Sequence, residues 1–201
     1  MIKVLLVEDM QMLRTALVAL LDQEPDLDVG LAVPSGEEAM ALASTYRPNV
    51  AVLDIGLPGL DGFAVAEALR GSTPCCRSLM LTSVARPGLL RRALEAGAAG
   101  MIAKDAEPAK LADAIRAVAA GQQVADPELA LKALQEPCID LTRRELEALD
   151  LAAEGDDPPQ IAKRLFLSPG TVRNYLASAV TKLRARNRVD AIRIARERGW
   201  L

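Results

Sequence analysis

Four short, apolar, β-rich runs in the first half of the chain end in residues that can handle charged oxygens. Ile2 to Val7 ends at Glu8-Asp9, Val50 to Leu53 at Asp54, Ser78 to Leu81 at Thr82, and Gly100 to Ala103 at Lys104. In an open parallel sheet, ligands sit outside the carboxyl ends of the strands. If these runs are such strands, three carboxylates, a hydroxyl and an ammonium meet on one edge. Carboxylates that close repel unless a cation joins them. A hard cation such as Mg²⁺ takes oxygen ligands and keeps several waters, so two or three carboxylates suffice. A phosphoryl group arriving on one of them would be neutralised by metal, hydroxyl and ammonium together. Any one of these residues alone could merely cap a strand; four strand ends of this kind point to one site.

A second constellation lies near the end of the chain. Gln160 to Leu165 reads as a short helix and Phe166-Leu167 as a turn. A longer helix follows, capped by Ser168 with Pro169 at its first position. Its spacing sets Val172, Leu176, Val180 and Leu183 as a buried stripe. Thr171, Arg173, Asn174, Ala177, Ser178, Thr181 and Lys182 then face outward. In a DNA major groove Arg reads guanine and Asn reads adenine. Thr, Ser and Lys suit phosphates, as does the helix N-terminus itself. The plainer alternative is a solvated amphipathic helix.

The elements that must position these groups follow from two periods. Strands are expected at Ile2 to Val7, Val29 to Val33, Val50 to Leu53, Ser78 to Leu81 and Gly100 to Ala103. Between them, helical spacing covers Met12 to Leu21, Ser35 to Tyr46, Gly62 to Arg70, Leu89 to Ala96 and Pro108 to Ala120. Ser35 and Glu38 form a capping box, and Gly97 and Gly121 close helices. Five βα units imply an α/β domain with a five-stranded parallel, doubly wound sheet, over residues 1–120. Residues 121–140 read as a linker, with a short helix from Glu128 to Leu134. Residues 141–201 read as a small all-α helix-turn-helix domain. There Thr142 and Glu145 form another capping box on a helix to Ala153 that stops at Gly155, and a last helix covers Val189 to Arg198.

Composition narrows the chemistry. The 201 residues are 51% apolar and 25% charged, a profile of globular domains. The absence of histidine removes Ser-His-Asp and Cys-His catalysis and His metal sites. One Trp, two Tyr and two Phe are too few for a stacking RNA reader. Cys75, Cys76 and Cys138 form neither a disulfide framework nor a CxxC metal spacing, which suits a reducing cytoplasm. Glu8-Asp9 cut the first apolar run too short for a signal peptide, and no run is long enough to insert in a membrane. The overall charge of −3 hides an asymmetry: residues 160–201 carry ten Lys and Arg against two Asp and Glu. An acidic front and a basic tail suggest modules with different partners.

Residues 1–120 resemble the receiver domain of two-component response regulators, which is flavodoxin-like. The resemblance rests on Val7-Glu8-Asp9, on Leu53-Asp54-Ile55-Gly56-Leu57-Pro58-Gly59-Leu60-Asp61-Gly62, on Leu81-Thr82-Ser83 and on Ala103-Lys104-Asp105. It implies that Asp54 accepts a phosphoryl group from a sensor histidine kinase. Glu8, Asp9 and Asp54 would bind Mg²⁺ with the Gly56 carbonyl. Thr82 and Lys104 would engage the phosphoryl group as switch residues, with self-dephosphorylation but no ordinary turnover. Residues 138–201 resemble the LuxR/NarL-type DNA-binding domain, through Leu141-Thr142-Arg143-Arg144-Glu145, Gln160-Ile161-Ala162, Leu167 to Tyr175, Lys182-Leu183 and Asn187-Arg188. By that resemblance Arg173, Asn174 and Ala177 face base edges of double-stranded promoter DNA. Ser168, Thr171, Tyr175, Ser178, Lys182 and Arg188 face phosphates, and Val189 and Ile192 lie at a homodimer contact. Arg173-Asn174-Tyr175-Leu176 and Arg198-Gly199-Trp200-Leu201 resemble the desaturase-regulating members of the family.

Four departures matter. Tyr175 stands where the family frequently has a His. Met101 stands where the family usually has a Tyr or Phe switch ring. Ala85-Arg86-Pro87-Gly88 is unusual where the fourth helix begins, and leads to the expectation of a mobile or shortened helix. Asp156-Asp157-Pro158-Pro159 places negative charge before the first helix of the helix-turn-helix. The expected function is phosphorylation-controlled dimerisation and promoter binding. One alternative is a phosphorylation-independent DNA-binding regulator with a non-switching receiver. A second, an Asp54-nucleophile phosphatase, lacks its second acid, because that position is Gly56.

Overall fold

The chain opens with β1 (Ile2–Val7), where Val4, Leu5, Leu6 and Val7 are all fully buried. An apolar run of this kind suits a strand covered on both faces. In the computed structural model, which describes residues 1–83, 87–125, 127, 130–131, 141–197 and 200–201, β1 is an inner strand of a parallel sheet, second from one edge. Its neighbours are β2 (Leu27–Val33) and β3 (Val50–Asp54), followed by β4 (Arg77–Thr82) and β5 (Gly100–Ala103), in the order β2-β1-β3-β4-β5. The registers Val7↔Leu53, Asp54↔Leu81 and Thr82↔Ala103 bring the carboxyl ends of β1, β3, β4 and β5 to one level. The strand order reverses between β1 and β3, the place where such sheets open a crevice.

The helices α1 (Gln11–Leu21), α2 (Gly36–Tyr46), α3 (Gly62–Ser72) and α4 (Pro87–Glu95) connect the strands, and α5 (Pro108–Ala119) follows β5. Val4, Leu6, Val52, Leu79 and Leu81 pack on one face with Leu21 of α1 and Leu111, Ile115 and Val118 of α5. Leu5, Leu53 and Met80 alternate to the other face, the side on which α2 and α3 contact the sheet. Gly97 and Gly121 follow α4 and α5 with φ of +87° and +89°, the left-handed closure expected of them.

Four differences from the sequence reading have local causes. β2 starts two residues earlier, because Ile2 pairs with Leu27. Ser35 accepts from the Glu38 N–H at 3.3 Å, but no return bond from the Glu38 side chain completes the box among the described residues. α4 takes Pro87 and Gly88 into its first turn, where the missing proline N–H is harmless. It runs for nine residues. Within the stretch read as linker, Val124 is tied to the sheet: its N–H donates to Ala99 O at 2.9 Å and its carbonyl accepts from Met101 N–H at 3.0 Å. Gly100 permits that approach, since a Cβ there would overlap the Val124 carbonyl. Ala85, Arg86, Cys138 and most of the expected helix from Glu128 to Leu134 lie outside the described residues.

The second unit is all helical: α6 (Arg143–Ala153), α7 (Pro158–Leu165), α8 (Pro169–Lys182) and α9 (Arg188–Glu197). Its core joins Leu149, Ile161, Val172, Leu176, Ala179, Leu183 and Ala191, with Trp200 packed against it. Thr142 and Glu145 complete the capping box of α6. A second complete box, not expected, joins Asp157 and Gln160 at the start of α7, so that helix begins at Pro158. The buried stripe of α8 runs through Ala179, with Val180 only half-buried. Val180 still packs against the edge of that core.

Candidate functional site

The crevice between β1 and β3 holds the acidic group. Glu8 is wholly buried and Asp54 and Thr82 nearly so. Lys104 Nζ lies 2.8 Å from Glu8 Oε2 and 3.0 Å from Asp54 Oδ2, and so bridges two strand ends. Asp54 Oδ1 accepts from the Gly56 N–H at 3.2 Å. Lys104 N–H donates to Thr82 O at 2.8 Å, which ties the hydroxyl-bearing residue to the lysine through the backbone. Glycine at position 62 keeps the loop after β3 against the sheet, because a Cβ there would run into the Asp54 carbonyl. Met101 is buried in β5.

The charges in this crevice are poised. Burial pushes the Glu8 carboxyl above its ordinary pKa; Lys104 opposes the rise and the Asp54 charge adds to it. Burial alone would lower the pKa of Lys104, but the two carboxylates outweigh it and raise it, so the ammonium stays charged. Oxygens of Glu8, Asp9 and Asp54 lie within 4.8 Å of one another. Glu8 Oε2, buried, meets Lys104 only as an ion pair, without an aligned hydrogen bond. An under-bonded buried carboxylate oxygen beside two further carboxylates is a donor set that fits a hard divalent cation.

Two residues that the sequence reading did not single out hold this site. Arg14 Nη1 donates to the carbonyls of Glu8 at 2.6 Å and Asp9 at 3.3 Å, fixing the turn that presents both acids. Arg92 of α4 pairs with Asp61 at 2.9 Å and lies 4.1 Å over the Phe63 ring. Asp61 also caps α3 through the Ala64 N–H, so one carboxylate joins the loop after β3 to both α3 and α4. Neither partnership leaves a periodic trace in the sequence.

In the helical unit, Ser168 caps α8 by accepting from the Thr171 N–H at 3.1 Å. Arg173, Asn174 and Ala177 are exposed, while Thr171 and Tyr175 are half-buried, Tyr175 against the core. Arg188 is exposed, Val189 is 73% exposed, and Ile192 packs partly onto the core. Ser178 and Lys182 differ from the outward placement expected of them. Ser178 Oγ donates to Glu145 Oε1 at 2.5 Å, and Lys182 Nζ to Glu145 Oε2 at 2.8 Å. Glu145 is buried, and burial alone would raise its pKa. Hydrogen bonds from Lys182, Ser178 and the Thr142 N–H outweigh that and bring it down to about 2. The acidic pair before α7 is also engaged within the unit: Asp157 caps α7, and Asp156 pairs with Arg164 at 2.8 Å.

Residues 4–116 match the response regulator receiver domain, and residues 140–195 match the luxR family of bacterial regulatory proteins. This chain belongs to the response regulators. It is similar to the transcriptional regulatory protein YvfU of Bacillus subtilis, with 42% identity over 100% of both chains. To DesR of the same organism, a transcriptional regulatory protein, it is 39% identical over 100% of this chain and 99% of that one. A crystal structure of the response regulator ChrA, from a heme-sensing two-component system, is 32% identical, with a TM-score of 0.57 over 100% of this chain and 98% of that one. The response regulator is thus a transcription regulator that joins a receiver to a LuxR-type DNA-binding domain. Among the described residues, no helix is long and apolar enough to cross a membrane.

Proposed function

We propose that a sensor histidine kinase phosphorylates Asp54, and that the phosphorylated chain forms a homodimer that binds promoter DNA in the cytoplasm. The observation that carries this reading is Lys104 spanning Glu8 and Asp54 at the level where the strand order reverses. An Asp54 carboxylate oxygen attacks the phosphorus of a phosphohistidine; the P–O bond forms as the P–N bond breaks and the histidine nitrogen leaves with its electron pair. Glu8, Asp9 and Asp54 would hold Mg²⁺ together with the Gly56 carbonyl. Bound there, the cation would offset the negative charge of the phosphoryl oxygens. Lys104 takes up phosphoryl charge from its place beside Asp54, and Thr82 offers its hydroxyl to a phosphoryl oxygen. Water attack at the phosphorus breaks the bond to the Asp54 oxygen, releases inorganic phosphate and returns the carboxylate to its starting state.

On the DNA side, α8 enters the major groove. Arg173 and Asn174 meet base edges, with Ala177 close to them. Ser168, Thr171, Tyr175 and Arg188 meet phosphates, and the exposed Val189 with Ile192 supplies the contact between copies of the DNA-binding domain. Two such domains place two recognition helices about one DNA turn apart. Sedimentation velocity with and without Mg²⁺ plus beryllofluoride, a mimic of the aspartyl phosphate, tests the reading. A shift from monomer to dimer that vanishes in Asp54→Ala is expected. An unchanged distribution in the unaltered chain would favour phosphorylation-independent DNA binding.

A further inference from the structure

Lys182 stands on the helix assigned to the groove, yet its ammonium is committed to Glu145, 37 residues away, and Ser178 one turn earlier on α8 donates to the other oxygen of the same carboxylate. Glu145 sits in the first turn of α6, and its Oε2 also accepts from the Thr142 N–H at 2.7 Å. One buried carboxylate therefore closes the N-terminus of α6 and grips α8 at two points on one face. A cation whose charge is matched inside the protein adds little to counterion release, which depends on cations that neutralise phosphates.

We propose that Glu145 is a positioning residue for DNA recognition, and that it withdraws Ser178 and Lys182 from the phosphate-contacting set in order to fix α8 against α6. This rests on the reading of α8 as the groove helix. The outward residues Arg173 and Asn174 share α8 with the two grip points, so the grip sets the angle at which they meet base edges. Bidentate base contacts tolerate little misplacement. Loss of the grip therefore lowers discrimination between sequences rather than the general attraction to DNA.

The test uses the full chain and a duplex that it enriches from a random-sequence pool, with a scrambled duplex of equal length for reference. Affinity is measured across a range of salt concentrations for the unaltered chain, Lys182→Gln, Lys182→Arg, Ser178→Ala and Arg188→Gln. Lys182→Gln and Ser178→Ala are expected to keep the slope of log affinity on log salt while losing several-fold in preference for the enriched duplex. Lys182→Arg, which restores a cation opposite Glu145, is expected to recover that preference; a merely structural or phosphate-binding lysine would not separate the two readouts this way. Arg188→Gln is expected to reduce the slope by about 0.9, the value for one lost phosphate contact. A slope reduced by about 0.9 in Lys182→Gln, with the preference intact, would make Lys182 a phosphate contact and overturn the proposal while leaving the groove assignment standing. Failure to enrich any duplex would overturn both.

Discussion

Replacing Glu145 by Gln and lowering the pH perturb the same ion pair by independent routes, without DNA. In the folded chain the carboxyl is held at about 2 against an ordinary value of 4.5. A carboxyl depressed on folding stabilises the folded state above the unfolded pKa, and that contribution is lost as pH falls through the folded one. The full difference corresponds to roughly 3 kcal/mol. Lys182 is partly open to water, which screens the pair, and charged hydrogen bonds of this kind contribute roughly 1.5–3 kcal/mol, so about 2 kcal/mol is the working figure. Most of it disappears between pH 6 and pH 3, because the unfolded chain takes up its proton well before the folded one does. Trp200, the sole tryptophan, packs on the core of the helical unit, so its fluorescence follows unfolding of that unit in urea. The unaltered chain should exceed Glu145→Gln by about 2 kcal/mol at pH 6, and the gap should narrow by roughly 1.5 kcal/mol at pH 3. Asp190, whose carboxyl is also depressed, by the Arg186 N–H and by Arg193 and Arg186, weakens both variants alike and drops out of the difference. A gap that stays constant from pH 6 to pH 3 would refute a charged carboxylate held by Lys182 and Ser178.

Lys104→Met leaves the carboxylates of Glu8, Asp9 and Asp54 without their cation. At a separation of 4.8 Å two such charges repel by about 3.5 kcal/mol at an effective dielectric of 20. Added Mg²⁺ should therefore raise the calorimetric Tm more in this variant than in the unaltered chain, and equal shifts would remove the cation site. Asp157→Ala removes one side of the α7 capping box and should lower stability by about 1 kcal/mol in the same Trp200-monitored urea titration; an unmoved midpoint would show the cap to be idle. Arg173→Ala should reduce discrimination between enriched and scrambled duplexes by roughly 1–3 kcal/mol. Equal losses on the two duplexes would take Arg173 away from the base edges.

The acidic crevice was legible because each of its members directly ends a strand. A residue that follows a parallel strand must lie at the carboxyl edge of the sheet, so local sequence already decided that Glu8, Asp54, Thr82 and Lys104 would meet. Caps were legible for the same reason: Thr142 and Glu145 are three residues apart, and the bonds close within one turn. Helical spacing alone, by contrast, placed Val180 in the buried stripe and Ser178 and Lys182 outside it. In the structure Ala179 is fully buried, and Ser178 and Lys182 turn to Glu145 of α6, a partner that spacing along α8 does not carry.

What the sequence determined by itself is the set of groups and the edge on which they gather, since period and strand order are carried by neighbours along the chain. What only the tertiary structure decided is who satisfies whom. Arg14 reaches back to the Glu8 and Asp9 carbonyls, Arg92 spans Asp61 and Phe63, Val124 returns to β5, and Glu145 takes two donors from α8. The last three of these join residues 23 to 37 positions apart. A hydrogen-bond partner at that distance leaves no local pattern, and a buried charge must still find one before the chain can fold around it.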